Sequence, residues 1–333
     1  MTITNAIATT LSRRLGPIVL SGFGLATLAL AGTCAAQSWP AKPIRAIVPF
    51  SVGSTIDIIG RIVAEPLAVQ LGQQIVIENR GGAGGTIGTN AVVQAEPDGY
   101  TLLIHASAHS AAPASYAKLP YNTANDIAGV VMFGNVPNVT VVSSKKSFKT
   151  LREFVDAGKK TNFTFASAGI GSATHWGAER LRVAAGLDAT HIPFKGGPEA
   201  LTEVVTGRVD FMSIGIASGL PFIRDGRLLA LGVSTVKRST ALPDVPTTLE
   251  GGYVDSDYTF WNGMLAPAKT PRPIIDRLHQ EVQKVLALPA VRDRFALQGI
   301  EPMPLSPVEI DALIRKEIVS NIAIAKAAKL KFD

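Results

Sequence analysis

PIRAIVPFSVGSTID, residues 43–57, decides how the rest of the chain is read. Ile44 to Val48 is a short apolar run bounded by Pro43 and Pro49, the pattern of a strand. Phe50 to Asp57 is rich in Ser, Gly and Thr, as a loop is, and from Ile58 to Leu71 apolar residues recur at helical spacing. Strand, loop and helix in this order form the unit of a sheet with helices on its faces. Ser54 and Asp57 fit the S-x-x-D capping pattern, which predicts that Asp57 folds back onto the loop while free N–H groups at the helix start face outward.

The same rhythm continues outward. Ile75 to Ile77 reads as a second strand, Gly81 to Gly88 as a turn opening a helix through about Ala95, and Tyr100 to His105 as a third strand. A second set follows, with strands at 139–142, 163–167, 191–194, 209–213 and 228–234 and helices at 151–160, 175–185 and 198–206. Tyr258 to Leu265 is extended, and the end is helical from about Pro271. The expected class is α/β, with two doubly wound, parallel sheets. Leu305 to Leu330 is too amphipathic to stand alone, so the tail is expected to return to the first sheet. That gives a discontinuous first domain, 37–138 plus 258–333, and an inserted second domain, 139–257.

Residues 1–36 have Arg13 and Arg14, an apolar stretch from Leu15 to Ala31, small residues through Ala36 and no acid, the make-up of a secretory signal peptide cleaved near Ala36. The apolar stretch is short for a membrane span. Cys34 sits in a poor lipidation context, and Ser12-Arg13-Arg14 is a partial twin-arginine signal. Cleavage removes two arginines, taking the formal charge from +6 to +4, and the single cysteine, leaving no thiol for disulfides, nucleophiles or metal sites. The remaining positive charge is dispersed, so nucleic acid is not an expected partner.

Three strand-to-helix junctions share one chemistry: the loop at 50–57, Ser167-Ala168-Gly169-Ile170-Gly171-Ser172, and Phe194-Lys195-Gly196-Gly197 before Pro198. Each presents unpaired backbone N–H groups at a positive helix end, a site suited to a carboxylate or phosphate. Two such ends facing each other could hold an anion from both sides. Gly82, Gly84 and Gly88 resemble a loosened dinucleotide loop, but follow the second strand and lack the acidic partner after the next one. Ser172 with His175 could be a nucleophile and base, though capping explains the spacing equally, and no G-x-S-x-G elbow occurs. The five histidines show no metal-ligand spacing and read as surface or hydrogen-bonding groups, with His109 and His175 set apart by their places at strand ends. Trp176 and Trp261 read as core residues.

Ordered along the chain are Trp39-Pro40-x-Lys42-Pro43-Ile44-Arg45, Ile47-Val48-Pro49-Phe50, Glu78-Asn79-Arg80, Gly82-Ala83-Gly84-Gly85, Pro97-Asp98-Gly99-Tyr100, Ser167-Ala168-Gly169-x-Gly171-Ser172, Pro193-Phe194-Lys195-Gly196-Gly197, Val209-Asp210-Phe211-Met212 and Leu242-Pro243-Asp244-Val245-Pro246-Thr247. In these the sequence resembles the Bug family, the periplasmic solute-binding receptors of tripartite tricarboxylate transporters. The resemblance implies a two-lobed periplasmic binding protein of type II-like architecture, non-enzymatic and without cofactor or metal, closing on a small carboxylate. Di- or tricarboxylates, acidic amino acids and aromatic carboxylates are the implied ligands. It further implies that Ser51, Val52, Gly53, Ser54, Thr55 and Asp57, with Ser167, Ala168, Gly169, Gly171 and Ser172, grip the ligand. Ser107, His109, His175, Lys195 and Gly196 are further candidates from their loop positions. Membrane transporter subunits, or a sensor ectodomain, are the expected partners of a monomeric receptor; an exported serine hydrolase is the enzymatic alternative. The family loop usually reads P-F-x-A-G-G-x-x-D. Here Val52 replaces Ala, Ser54 replaces the second Gly and adds a hydroxyl, and Gly81 stands where Pro is common. Trp176 beside the second loop is compatible with a bulky or aromatic acid.

Overall fold

The computed structural model describes residues 39–327 and Leu330, so the expected signal peptide lies outside the described residues. Among the described residues nine strands form one sheet: β1 (Ile44–Val48), β2 (Ile75–Asn79), β3 (Thr101–Ala106), β4 (Ile127–Ser143), β5 (Phe163–Ser167), β6 (Ala189–Pro193), β7 (Phe211–Gly215), β8 (Leu228–Val233) and β9 (Thr259–Pro267). Their order is β2-β1-β3-β9-β4-β7-β5-β6, with β8 also on β4. Strands β1, β2 and β3 are parallel, as are β5, β6 and β7, in accord with the strand–helix rhythm.

The wholly parallel expectation is corrected at the centre. Strand β9 runs antiparallel to β3 and β4, and β4 runs antiparallel to β7 and β8. Strand β4 is 17 residues long and serves both halves: it pairs with β9 from Ile127 to Pro137 and with β7 from Asn138 onward. Only its last part reads as a strand in the sequence. Gly129, Gly134 and Pro137 look like interruptions, but register shifts between Gly129 and Val131 and between Met132 and Gly134 absorb the irregularity.

Helices α1 (Thr55–Leu71), α2 (Thr86–Val93), α3 (Ala108–Ser115), α4 (Leu151–Gly158), α5 (Ala173–Ala185), α6 (Gly197–Thr206), α7 (Ile216–Arg224), α8 (Arg272–Ala287), α9 (Pro289–Leu297) and α10 (Pro307–Ala327) cover the strands. Ile56, Ile59, Ile62, Val63 and Leu67 bury one side of α1 against β1 and β3 residues such as Val48 and Ile104. The helix stops where Gly72 takes the left-handed conformation and the N–H of Gln73 reaches the Ala68 carbonyl. Helix α8 adds Leu278, Val282 and Val285 to the same core, and α10 packs on α3 and β4. Within this packing Glu317 of α10 accepts from the Ser110 hydroxyl at 2.6 Å and the Trp261 indole at 2.8 Å. The second core gathers Phe154, Phe165 and Phe211 between α4, α5 and the β5–β7 strands. Trp176 and Trp261 are fully buried, as core residues should be.

Candidate functional site

The chain ends of the strands on both sides point their loops at one another, and a cavity of ≈ 40 Å³ lies where they meet. From the first half it is lined by Phe50, Ser54, Thr55 and Ile56 of the β1–α1 junction and by Ala106 and Ala108 after β3. From the second half come Ala168, Ser172, Ala173 and Thr174 of the β5–α5 junction, Gly197 at the start of α6, and Ile214 and Ser218 of the β7–α7 junction. Phe260 of β9 completes the wall. No lining side chain is charged. Its polar side-chain groups are five hydroxyls, and beside them stand the first N–H groups of α1 and α5, which have no intrahelical acceptor.

At the α1 junction the capping pattern holds in half. The Asp57 carboxylate does fold back, accepting from the Gly53 N–H at 2.9 Å. It also accepts from the Arg61 side chain at 3.0 Å and from the Asn79 amide at 2.9 Å. Burial works against its charge, but these three donors hold the carboxyl below the usual carboxylate range. The other half fails: the Ser54 hydroxyl caps nothing. It is buried, lines the cavity and has no hydrogen-bond partner among the described residues.

The β5–α5 junction is internally tied. Ser172 caps α5, accepting from the His175 N–H at 3.2 Å, and lies 2.9 Å from the Thr174 hydroxyl, which accepts from the Ala168 N–H at 2.8 Å. The His175 ring accepts from the Gly171 N–H at 3.1 Å through Nδ1 and stacks on His191 at 3.7 Å. Ser167 lies behind, 2.6 Å from the His191 Nε2. Burial holds His191 down to about 4, and burial, His191 and Arg182 together hold His175 well below the usual imidazole value. Ser172 thus accepts from the backbone N–H of His175, the capping contact that the spacing also allowed.

The two halves touch directly across the cavity. Thr55 and Ser218 pair their hydroxyls at 2.9 Å, Ser51 donates to Glu199 at 3.0 Å, Tyr116 donates to the Ile170 carbonyl at 2.6 Å, and the Trp176 indole donates to Ser115 at 3.1 Å. The backbones come so near that a Cβ on Gly196 would stand 2.1 Å from the Ser51 hydroxyl. This is a closed cleft.

Of the residues expected from sequence, Ser54, Thr55, Ala168 and Ser172 line the cavity. Gly169 and Lys195 line a separate, wider groove with Tyr116 and Phe194. Ser51 and Gly196 form the cross-cleft contact, and Val52 is exposed. Gly53, Asp57, Ser167, Gly171 and His175 sit behind the wall in the bonds just given. Ser107 bonds the Tyr258 hydroxyl at 3.1 Å, and His109 is fully buried beside His105. His105 is buried too and accepts from the Ala106 N–H at 2.8 Å, a hydrogen-bonding group as read and not a surface one; burial holds both rings well below the usual imidazole value, His109 at about 4. The lining residues Phe50, Ile56, Ala106, Ala108, Ala173, Thr174, Gly197, Ile214, Ser218 and Phe260 are not among those expected. Ser218 belongs to α7, whose Gly219 and Pro221 hide it as a helix; the small apolar residues carry no chemical signature at all.

A family model described as the tripartite tricarboxylate transporter family receptor matches residues 59–330. The chain belongs to this receptor family. Among relatives, the receptor is similar to Protein BugT of Bordetella pertussis, 33% identical over 320 residues that cover 94% of this chain and 98% of BugT. Among solved structures it is similar to MatC of Rhodopseudomonas palustris with bound malate, at TM-score 0.82 and 32% identity, covering 86% of this chain and 99% of MatC. A second R. palustris structure, with adipate, aligns at TM-score 0.85 and 27% identity over 88% of this chain and 99% of that one. The two-lobed α/β binding-protein fold expected from the sequence is the fold these receptors share.

Proposed function

We propose that the protein is an exported receptor that closes its two lobes on a small carboxylate and delivers it to the membrane subunits of a tripartite tricarboxylate-type transporter. The observation that carries this reading is the buried, unpartnered Ser54 hydroxyl at the start of α1, facing a cavity whose other end is the start of α5. A carboxylate at either end replaces water with a hydroxyl and helix-opening N–H groups, and the helix ends supply positive potential without any basic side chain. The malate and adipate in the two related structures support the ligand class.

In this reading residues 1–36 are the export signal, and the mature receptor is a periplasmic monomer without enzymatic activity. No described helix is long and apolar enough to cross a membrane. The lobes comprise 37–138 with 258–333, and 139–257; the change of partner along β4, from β9 to β7 at Pro137 and Asn138, supports that division. Closure then turns about β4 and β9, and contacts available only in the closed form are what favour it when ligand is present. Calorimetric titration of the mature chain, refolded to strip carried-over ligand, tests the proposal with a series of mono-, di- and tricarboxylates. Saturable binding of at least one acid is expected. No heat and no thermal stabilisation with any of them would refute it.

A further inference from the structure

We propose that the groove between β4, the end of α8, α9 and the segment 300–304 is a second binding site, for a medium-chain monocarboxylic acid with a flexible apolar tail. The proposal is independent of the cleft, because the groove and the cleft cavity share no lining residue.

The groove encloses ≈ 500 Å³, within the range of about 300–1,000 Å³ usual for small-molecule sites. Its floor is Met132 and Phe133 of β4 with Phe295 and Ile300, all buried. Leu286 and Met303, half-buried, stand at its sides. Protein interiors are filled to crystal-like density, so an apolar hollow of this size persists only where its walls are held apart. Here they are held. Asn135 of β4 and Glu301 exchange two backbone hydrogen bonds at 2.8 and 2.9 Å, and Pro302 and Pro304 stiffen the chain that follows. Gly134 permits this close approach, since a Cβ there would stand 2.5 Å from the Glu301 carbonyl oxygen. The opposite wall, α9, is anchored by its buried Val291 and Phe295.

One charged side chain lines the groove, Arg292, which is exposed at the rim; Gln283 adds an amide, and no acidic residue lines it. Arg294, two residues on, pairs with Glu65 at 3.6 Å, whereas the Arg292 guanidinium has no ion pair or hydrogen bond among the described residues. An apolar trough with one cationic fork at its edge matches a ligand that is apolar along its length and anionic at one end. A carboxylate meets a guanidinium in two parallel hydrogen bonds. The unbranched, adaptable side chains of Met132 and Met303 suit an alkyl chain that bends to the trough.

The test is calorimetric titration of the mature chain with butyrate, hexanoate, octanoate and octanol. Saturable one-to-one binding of octanoate is expected, about fourfold weaker for each methylene removed. An ion pair at an exposed rim is worth a few-fold in affinity, so octanol should bind about threefold or more weakly than octanoate. Arg292→Gln should bring octanoate down to the level of octanol, and Ala296→Trp, which fills the groove from α9, should abolish the binding of both. Both positions are exposed, so both variants should melt with the parent and bind the best cleft acid as the parent does. Octanoate that fails to saturate, or that binds both variants as tightly as the parent, overturns the proposal. Silence of octanoate together with a dimer in sedimentation would assign the groove to a second copy of the chain, and overturns it as well.

Discussion

Gly196→Ala isolates closure from folding. Gly196 has φ −166° and ψ 169°, extended backbone that any residue adopts, so the substitution adds no backbone strain. Across the cleft its new Cβ stands 2.1 Å from the Ser51 hydroxyl and 2.6 Å from the Ser51 Cβ, and it also meets the end of the Glu199 side chain at 2.8 Å, which a flexible carboxylate relieves by turning. Turning the serine side chain relieves the first clash and gives up the 3.0 Å bond to Glu199. The second remains, and an ordinary carbon contact of about 3.6 Å then requires the lobes to stand about 1 Å apart. At that separation the 2.9 Å Thr55–Ser218 bond is also broken. Two hydrogen bonds at about 1 kcal/mol each amount to about 2 kcal/mol, or about 30-fold in affinity if binding requires full closure. Titration with the best-binding acid reads the affinity, and thermal unfolding without ligand should differ from the parent by no more than about 2 °C. Adding Ser51→Gly removes both clashing atoms of the facing lobe and should return most of the loss. A Gly196→Ala protein that binds as tightly as the parent would show that the cleft need not close this far, and the reasoning would be wrong.

Ser54→Ala removes a hydroxyl with no protein partner, so titration should show about tenfold weaker carboxylate binding with a melting temperature equal to or slightly above that of the parent. Glu317 is buried and its carboxyl is pushed up from the usual range, so the folded state holds its proton longer than the unfolded one. Stability from that proton is full below the unfolded value and is lost as pH rises through the folded one; Glu317→Gln should flatten this limb in a melting-temperature profile. His191 is held at about 4 against an unfolded value of 6.5, so between these values the unfolded chain takes a proton that the folded one refuses. Melting temperature should fall as pH drops from about 6.5 toward 4, and less steeply in His191→Gln. Asp57→Asn should lower stability at neutral pH by about 1–3 kcal/mol in denaturant titration, because Arg61 and the Gly53 N–H lose their charged acceptor.

The strand and helix units legible in the sequence are those whose apolar period is clean and whose ends are marked. Phe163 to Ser167 matches β5 residue for residue, and helix α5 starts two residues before its expected first position because Ser172 caps it. Helices α3 and α7 hide because Pro113, Pro221 and small residues blur their period. The antiparallel centre hides for another reason: direction is a property of where β4 and β9 sit among strands distant in sequence, and no local pattern encodes it. At the cavity the hydroxyls of Ser54, Thr55 and Ser172 stand in recognisable loops. Ala106, Ala108 and Ile214 carry no polar side-chain atom, and their position emerges only when the two halves are brought together.

Strand β9 lies between β3 and β4 in space yet is among the last parts of the chain to exist. A polypeptide emerging from its N-terminus, whether from a ribosome or through a translocation pore, presents β3 with a bare edge until residues 259–267 appear. The second half has all of β5 to β8 by then and can gain order earlier. An open edge of apolar strand is a template for pairing with another chain. The late arrival of one central strand therefore makes the interval before its appearance the most aggregation-prone stage in the life of this protein, and the one at which a holding chaperone would matter most.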